Sequence, residues 1–511
     1  MRRLSCMFSC LACAGLGRQA QVSLFEQVRR NIAFSKSLKP LEIGQGSLSS
    51  LKAVVMLLLS VNPAPAFAPF GLGARSPTLQ MMATDPLPLP GGVLVTEHEL
   101  EVPLDHSAPD GEKIRLFVRE VVKKGKESDT SLPCLLYLQG GPGFPSPRLS
   151  SPPGGWMKPA LESHRLLLLD QRGTGRSTPA TPQHLGTLGS AEAQANYLAH
   201  FRADSIVRDC ELVRAAIAQN AKLSLLGQSF GGFCILSYLS LFPDSIERAL
   251  FTFGLAPVGQ YIDDVYRATF KRMERRNARF YARYPKDIEL VRSLVSSLHE
   301  KPAKLPGGGT LTARRFLQLG LLLGSSSGLE SLHDLLELAR VPAPTGELPE
   351  LFLVAVEDAQ GAFETNPIYW LLHEAIYCDG PGGASSWSAE RVQAALGPSW
   401  DYTTRLEPGG PPVQLTGEMV YSWMGEDYAA LRPLRPAAEL LAAKADWPEL
   451  YRRESLGTTG ASCAALVSYD DIYVEREFSE ATLALLRECR VWITNEFQHS
   501  GLRDEGQTVF E

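Results

Sequence analysis

From about Pro86 onward, two stretches alternate apolar and polar positions, Gly92–Pro103 and Lys113–Val122. Alternation with period two marks strands with one buried face, and the turn formers of Asp105–Gly111 between them predict a β-hairpin. Later apolar runs do not alternate: Pro133–Leu138, Arg165–Asp170, Leu223–Gly227 and Arg248–Phe253. Continuous apolar strands are covered on both faces, as in a parallel sheet sandwiched by helices. Between the second and third runs lies Ala191–Asn220, where Ile206, Val207, Cys210, Val213 and Ile217 recur at helical spacing. Strand–helix–strand alternation predicts a doubly wound, mostly parallel α/β core.

From Gly259 to Pro412 the strand signal fades. Charged helical stretches over Arg267–Tyr284 and Asp287–His299 are separated from later segments by breaks at Pro302–Gly309 and Pro342–Gly346. This predicts a helical cap over 259–412, inserted between two parts of the core, 86–258 and 413–511. In the second part, Ala464–Tyr469 and Arg490–Asn495 read as strands and Ser479–Arg490 as a helix. The basic run Lys271–Arg279 reads as a solvated helix face.

Residues 1–85 stand apart as a leader. Their apolar run, Ala53–Leu59, is shorter than the roughly 20 residues a bilayer span needs. Followed by Pro63–Pro69, it reads like a signal h-region and a small-residue cleavage zone. The arrangement resembles the bipartite plastid-targeting leaders of algae with complex plastids. The alternatives are an ordinary transit peptide built on Arg29–Lys52, or a plain tail on a cytoplasmic protein.

Composition narrows the classes further. Across 511 residues, 44% are hydrophobic and 21% charged, with a formal charge of −6, the balance of an ordinary soluble globular chain. Charges of both signs are mixed, so the concentrated basic surface of a nucleic-acid binder is not expected. The nine cysteines are scattered. From Cys134 onward none forms a CxxC pair or a Cys/His cluster, so neither a disulfide framework nor a metal site is expected. Nothing in the chain asks for a cofactor.

The strongest chemical signal is Gly227-Gln-Ser-Phe-Gly-Gly232. It follows an apolar strand and precedes a helix-like segment, Phe233–Leu241, which is the setting of a nucleophile elbow with Ser229 at its tip. Upstream, Gln139-Gly-Gly-Pro-Gly143 closes the first buried strand. Backbone N–H groups there suit an oxyanion hole. Pro142 has none to give, so Gly141 is the candidate, paired with the N–H of Phe230. The base and acid of a Ser-Asp-His order should follow the nucleophile. His299, His333 and His373 fall in the expected cap, whereas His499 lies just beyond the last strand. Asp470 and Asp471 both end the preceding strand, and either can accept the histidine N–H.

Taken together, these motifs resemble the longer branch of the proline iminopeptidases, a family of the α/β-hydrolase superfamily. Gln139–Gly143 is similar to its oxyanion segment, Asp170-Gln-Arg-Gly-Thr-Gly-Arg-Ser177 to its signature after the next strand, and Gly227–Gly232 to its elbow. The family register, Asp then three residues then Pro, points to Asp471 as the acid, although Glu475 occupies the proline position here. The resemblance implies an α/β-hydrolase fold with a helical cap, and release of an N-terminal residue, preferentially proline, from peptides with a free N-terminus. Family members read the free amine with cap glutamates, and Glu374 and Glu418 are the candidates. It implies no metal and no organic cofactor. An esterase or amidase of the same fold, and a non-catalytic binding protein, are the competing readings.

Overall fold

The computed structural model describes residues 80–343 and 347–511, and the targeting reading of the leader lies outside them. The chain opens with β1 (Met81–Ala83), β2 (Leu87–Leu89), β3 (Val93–Pro103) and β4 (Lys113–Lys123). β3 and β4 form the expected hairpin, pairing antiparallel with Leu100 opposite Leu116. β1 and β2 also pair with β3, which corrects the expected leader boundary at residue 85. These edge strands are three residues long and exposed, so no burial pattern marks them in the sequence.

The buried core strands follow: β5 (Cys134–Leu138), β6 (Arg165–Asp170), β7 (Leu223–Gln228) and β8 (Ile246–Thr252). After a small separate hairpin of β9 (Ala303–Lys304) and β10 (Thr310–Leu311), β11 (Ser462–Ser468) and β12 (Cys489–Thr494) complete the sheet. Its order is β1-β3-β4-β6-β5-β7-β8-β11-β12, with β2 beside β3. β6 through β12 run parallel in this order, and β4 joins them antiparallel.

Period-two side-chain placement explains the two-sided core. Leu135, Tyr137, Leu166 and Leu168 pack on one face with Trp156 and Leu161. Leu136, Leu138, Leu167 and Leu169 pack on the other with α1 (Ala203–Ile217) and α2 (Phe230–Leu241). The helical stretch expected over 191–220 is thus broken, with Ala191–Leu198 forming a separate helix before α1. β12 differs from the interior strands. Val491, Trp492 and Ile493 are exposed because β12 is the last strand of the sheet.

The insertion begins with α3 (Ile262–Arg283) and α4 (Asp287–Glu300). It extends beyond the expected limit at Pro412, because among the described residues no strand of the central sheet occurs between β8 and β11. The stretch after Pro412 is held by α3 instead. The Asn277 amide bonds both the N–H and the C=O of Leu415 at 2.9 Å, and the Tyr281 hydroxyl donates to Val413 O at 2.6 Å. The central sheet therefore resumes only at β11, not at residue 413. α3 also corrects the reading of Lys271–Arg279 as a solvated face: Arg272 and Arg276 are buried, while Lys271, Glu274 and Arg275 are exposed.

The segment after β6 is anchored from below. Arg172 is buried and donates to Asp209 of α1 through Nε (2.7 Å) and Nη2 (2.6 Å), and to the carbonyls of Leu104 (2.8 Å) and His200 (2.7 Å). Burial pushes the Asp209 carboxyl upward, but the Arg172 guanidinium outweighs it and holds the group below its ordinary range. Its stabilising contribution is therefore present above about pH 4 and lost as pH falls through the lowered value. Asp209→Asn, which leaves a buried guanidinium uncompensated, is expected to destabilise the protein by about 3 kcal/mol in denaturant titrations near neutrality. The deficit should shrink toward pH 2.

Candidate active site

The elbow forms where β7 meets α2. Ser229, between them, takes φ 55° and ψ −124°, a strained conformation for a residue with a side chain. It is held from both sides: its N–H donates to Thr252 O at 3.0 Å, and its C=O accepts from Gly232 N at 2.8 Å. A Cβ on Gly231 would lie 1.9 Å from Leu138 O, the carbonyl ending β5. Only glycine lets the two backbones come so close. The loop after β5 then passes against Ser229, since a Cβ on Gly140 would lie 2.9 Å from Ser229 Cβ and 3.6 Å from its Oγ. Gly141 follows at φ 131°. Phe230 is the first residue of α2, so its N–H has no intrahelical partner.

His499 stands in the loop after β12. Its Nδ1 lies 2.8 Å from Asp471 Oδ2, and Asp471 is buried after β11. The other Asp471 oxygen accepts from Tyr473 N (2.8 Å) and Val474 N (3.1 Å), which fixes the carboxylate plane. Asp470 turns the other way, to Arg279 Nη2 at 2.7 Å. Of the two carboxylates left open by the sequence, Asp471 is the one that reaches the imidazole. The His499 loop is tied to the elbow as well: Gln228 Nε2 donates to His499 O at 3.0 Å, while Gln228 Oε1 accepts from Thr252 Oγ1 at 3.0 Å.

The two cap carboxylates have different surroundings. Glu374 is buried, with its oxygens accepting the N–H groups of Ser388 and Ala389 at 3.0 Å each. It thereby caps the helix Ser388–Leu396. Burial still holds its carboxyl above the ordinary range. Glu418 accepts only from the Tyr377 hydroxyl, at 3.5 Å, and makes no ion pair among the described residues. Burial first, and then the negative charge of Asp471, push its carboxyl well above the ordinary range. Four phenols, those of the buried Tyr266 and Tyr369 and the half-buried Tyr377 and Tyr473, are pushed upward mainly by desolvation and also by the Glu418 charge.

These tyrosines connect cap to elbow. The Tyr377 ring lies 6.0 Å from Phe233 of α2, and Tyr369 packs edge-on to Phe144 of the loop after β5 at 5.9 Å. The Tyr473 ring stands perpendicular to His499 at 4.8 Å. Sequence reasoning passed over all four, because a tyrosine among apolar residues reads as core. Tyr369 and Tyr377 lie near Glu374 in the sequence and Tyr473 near Asp471, whereas Tyr266 lies near neither. His373, set aside as a base, is buried beside Tyr369 and Tyr377, and burial alone lowers its imidazole to about 3. Among the described residues no group of three or more His, Cys, Asp and Glu is placed to hold a metal ion, and no helix is long and apolar enough to cross a membrane.

The profile of the α/β-hydrolase fold matches residues 133–339. A proline iminopeptidase of Aeromonas sobria is 46% identical over 422 residues, covering 82% of this chain and 96% of the relative. The chain belongs to the proline iminopeptidase family. Within the family, proline iminopeptidase aneH of Aspergillus aculeatus is 35% identical over 435 residues, 82% of this chain and 93% of its own length. A tripeptidyl aminopeptidase of Streptomyces coelicolor is 29% identical over 180 residues, only 29% of this chain and 32% of the relative. That shorter match stays well short of the extent over which the chain follows the two proline iminopeptidases. The elbow itself yields a direct check. Gly231→Ala should destabilise the protein by about 3 kcal/mol in denaturant titrations, because the added methyl meets a strand-end carbonyl that has no room to move.

Proposed function

We propose that the protein is a serine aminopeptidase that releases an N-terminal residue, preferentially proline, from peptides with a free N-terminus. The observation that carries this reading is a buried carboxylate, Glu418, without an ion-pair partner among the described residues and within electrostatic reach of the Asp471–His499 couple. A buried carboxyl without a counter-ion is costly. A substrate ammonium group is the partner that would relieve it, and an acetylated or ester substrate has none to offer.

In the proposed reaction His499 takes the Ser229 proton as Oγ attacks the carbonyl of the first residue. Asp471 accepts the Nδ1–H bond, holding the useful tautomer and stabilising the imidazolium. The N–H groups of Gly141 and Phe230 receive the oxyanion. His499 then protonates the departing amine, and water releases the acyl group from Ser229. Glu418 binds the α-amine, and the tyrosines around it wall the pocket for an apolar ring. Glu374, already engaged by a helix N-terminus, supports the same pocket and adds a second negative field. The Phe-containing cleavage zone of the leader supports delivery to a plastid.

Hydrolysis of free-amine proline arylamide beside its N-acetyl form and an acetyl ester tests the reading. Only the free-amine substrate should be cleaved rapidly, and ester cleavage without arylamide cleavage would overturn the aminopeptidase assignment. Ser229→Ala should lower kcat by about 10⁶-fold with the fold intact. Glu418→Gln should raise KM for the free-amine substrate by at least about tenfold, a loss of roughly 1.4 kcal/mol. The raised Glu418 carboxyl is protonated at low pH and ionises as pH rises. KM of the wild type should therefore fall with rising pH through the mildly acidic range, whereas that of the variant should stay flat.

A further inference from the structure

Three arginines along one face of α3, at spacings of four and three residues, bind the loops that carry the acid and the base. Arg272 donates to Glu475 through Nε, 2.7 Å from Oε2, and through Nη2 to Oε1. Both side chains are more than nine-tenths buried, at 8% and 6% exposure. Arg279 holds Asp470 at 2.7 Å. Asp471 thus lies in a loop pinned on both sides, at positions 470 and 475, by one helix of the insertion. Arg276 acts on the base side: its Nε donates to Leu323 O at 2.8 Å, and the neighbouring Gly324 O accepts the His499 N–H at 3.2 Å. The Tyr473 hydroxyl closes the same link by donating to Leu321 O. Glu475 also caps the helix Arg476–Leu483 through Glu477 N at 3.0 Å.

We propose that Arg272 and Glu475 are a positioning pair for the Asp471–His499 couple, through which α3 of the cap sets the alignment of the triad. Glu475 stands four residues after Asp471, just before the helix Arg476–Leu483. The stiffness of this loop comes from a bidentate ion pair to another element, so the seating of α3 and the alignment of the acid are one mechanical unit. This inference rests on the triad reading above, and its test separates the two.

The experiment measures kcat and KM for proline arylamide, with thermal unfolding, for Arg272→Met, Glu475→Gln, their double variant and Arg272→Lys. Glu475→Gln keeps the size and a capping oxygen, so it carries the test should Arg272→Met fail to fold. Arg283→Met serves as the control, since Arg283 lies on the same helix but pairs with Glu330 at the surface. Arg272→Met and Glu475→Gln should each lower kcat tenfold or more with KM within twofold of wild type. The double variant should be no worse than the weaker single, Arg272→Lys should recover at least a third of the rate, and Arg283→Met should be unchanged. Wild-type kcat in the pair variants, alongside an inactive Ser229→Ala, would overturn the pair and leave the triad standing. A raised KM with kcat held would overturn it as well, by making the pair a determinant of binding. An active Ser229→Ala would instead remove the triad reading itself.

Discussion

The close approach of the elbow to the end of β5 decides what this site can be. Leu138 O occupies the space where any side chain at position 231 would stand, so β7, α2 and β5 meet without a gap. Beside that contact Ser229 holds its strained conformation, and the loop after β5 stands against its side chain. Strain of this kind persists only where the surroundings over-determine the backbone. Here the hydrogen bonds to Thr252 and Gly232, the buried strands on each side and the Gln228 tether to the His499 carbonyl supply that determination.

The second organising feature is the insertion, which supplies more than a lid. α3 reaches down to the loops of Asp471 and His499 through the buried Arg272 and Arg276 and the exposed Arg279, and the residues after Pro412 are strapped onto α3 in turn. Glu418 lies on that strap. The carboxylate proposed to read the substrate and the carboxylate proposed to orient the base are therefore held by the same helix. Glu374 and Glu418 illustrate how neighbours divide similar side chains between roles. The first spends its lone pairs on a helix N-terminus, whereas the second has only a long contact to a phenol and keeps its capacity for an incoming cation.

Much of the core was legible because its signals are local. Period-two alternation located the β3–β4 hairpin, continuous apolar runs located β5 to β8, and glycines around a serine between strand and helix located the elbow. The boundaries of the insertion were less legible. The second part of the core was expected from residue 413, yet the backbone groups of Val413 and Leu415 are taken by Tyr281 and Asn277, far away in the chain. The run Lys271–Arg279 looked like a solvated face because its charges have no partners nearby in sequence. Arg272 finds its partner 203 positions away.

The sequence by itself determined the class of core, the position of the elbow and the order of the residues able to serve as nucleophile, acid and base. These follow from short-range periodicity and from the steric demands of glycine and proline, which act within a few residues. Only the tertiary structure decided between Asp470 and Asp471, between Glu374 and Glu418 as the free carboxylate, and between a surface and a buried role for Arg272 and Arg276. Each of those choices depends on which distant group shares a buried space with the charge. Burial and pairing are properties of the folded packing, and no local pattern carries them.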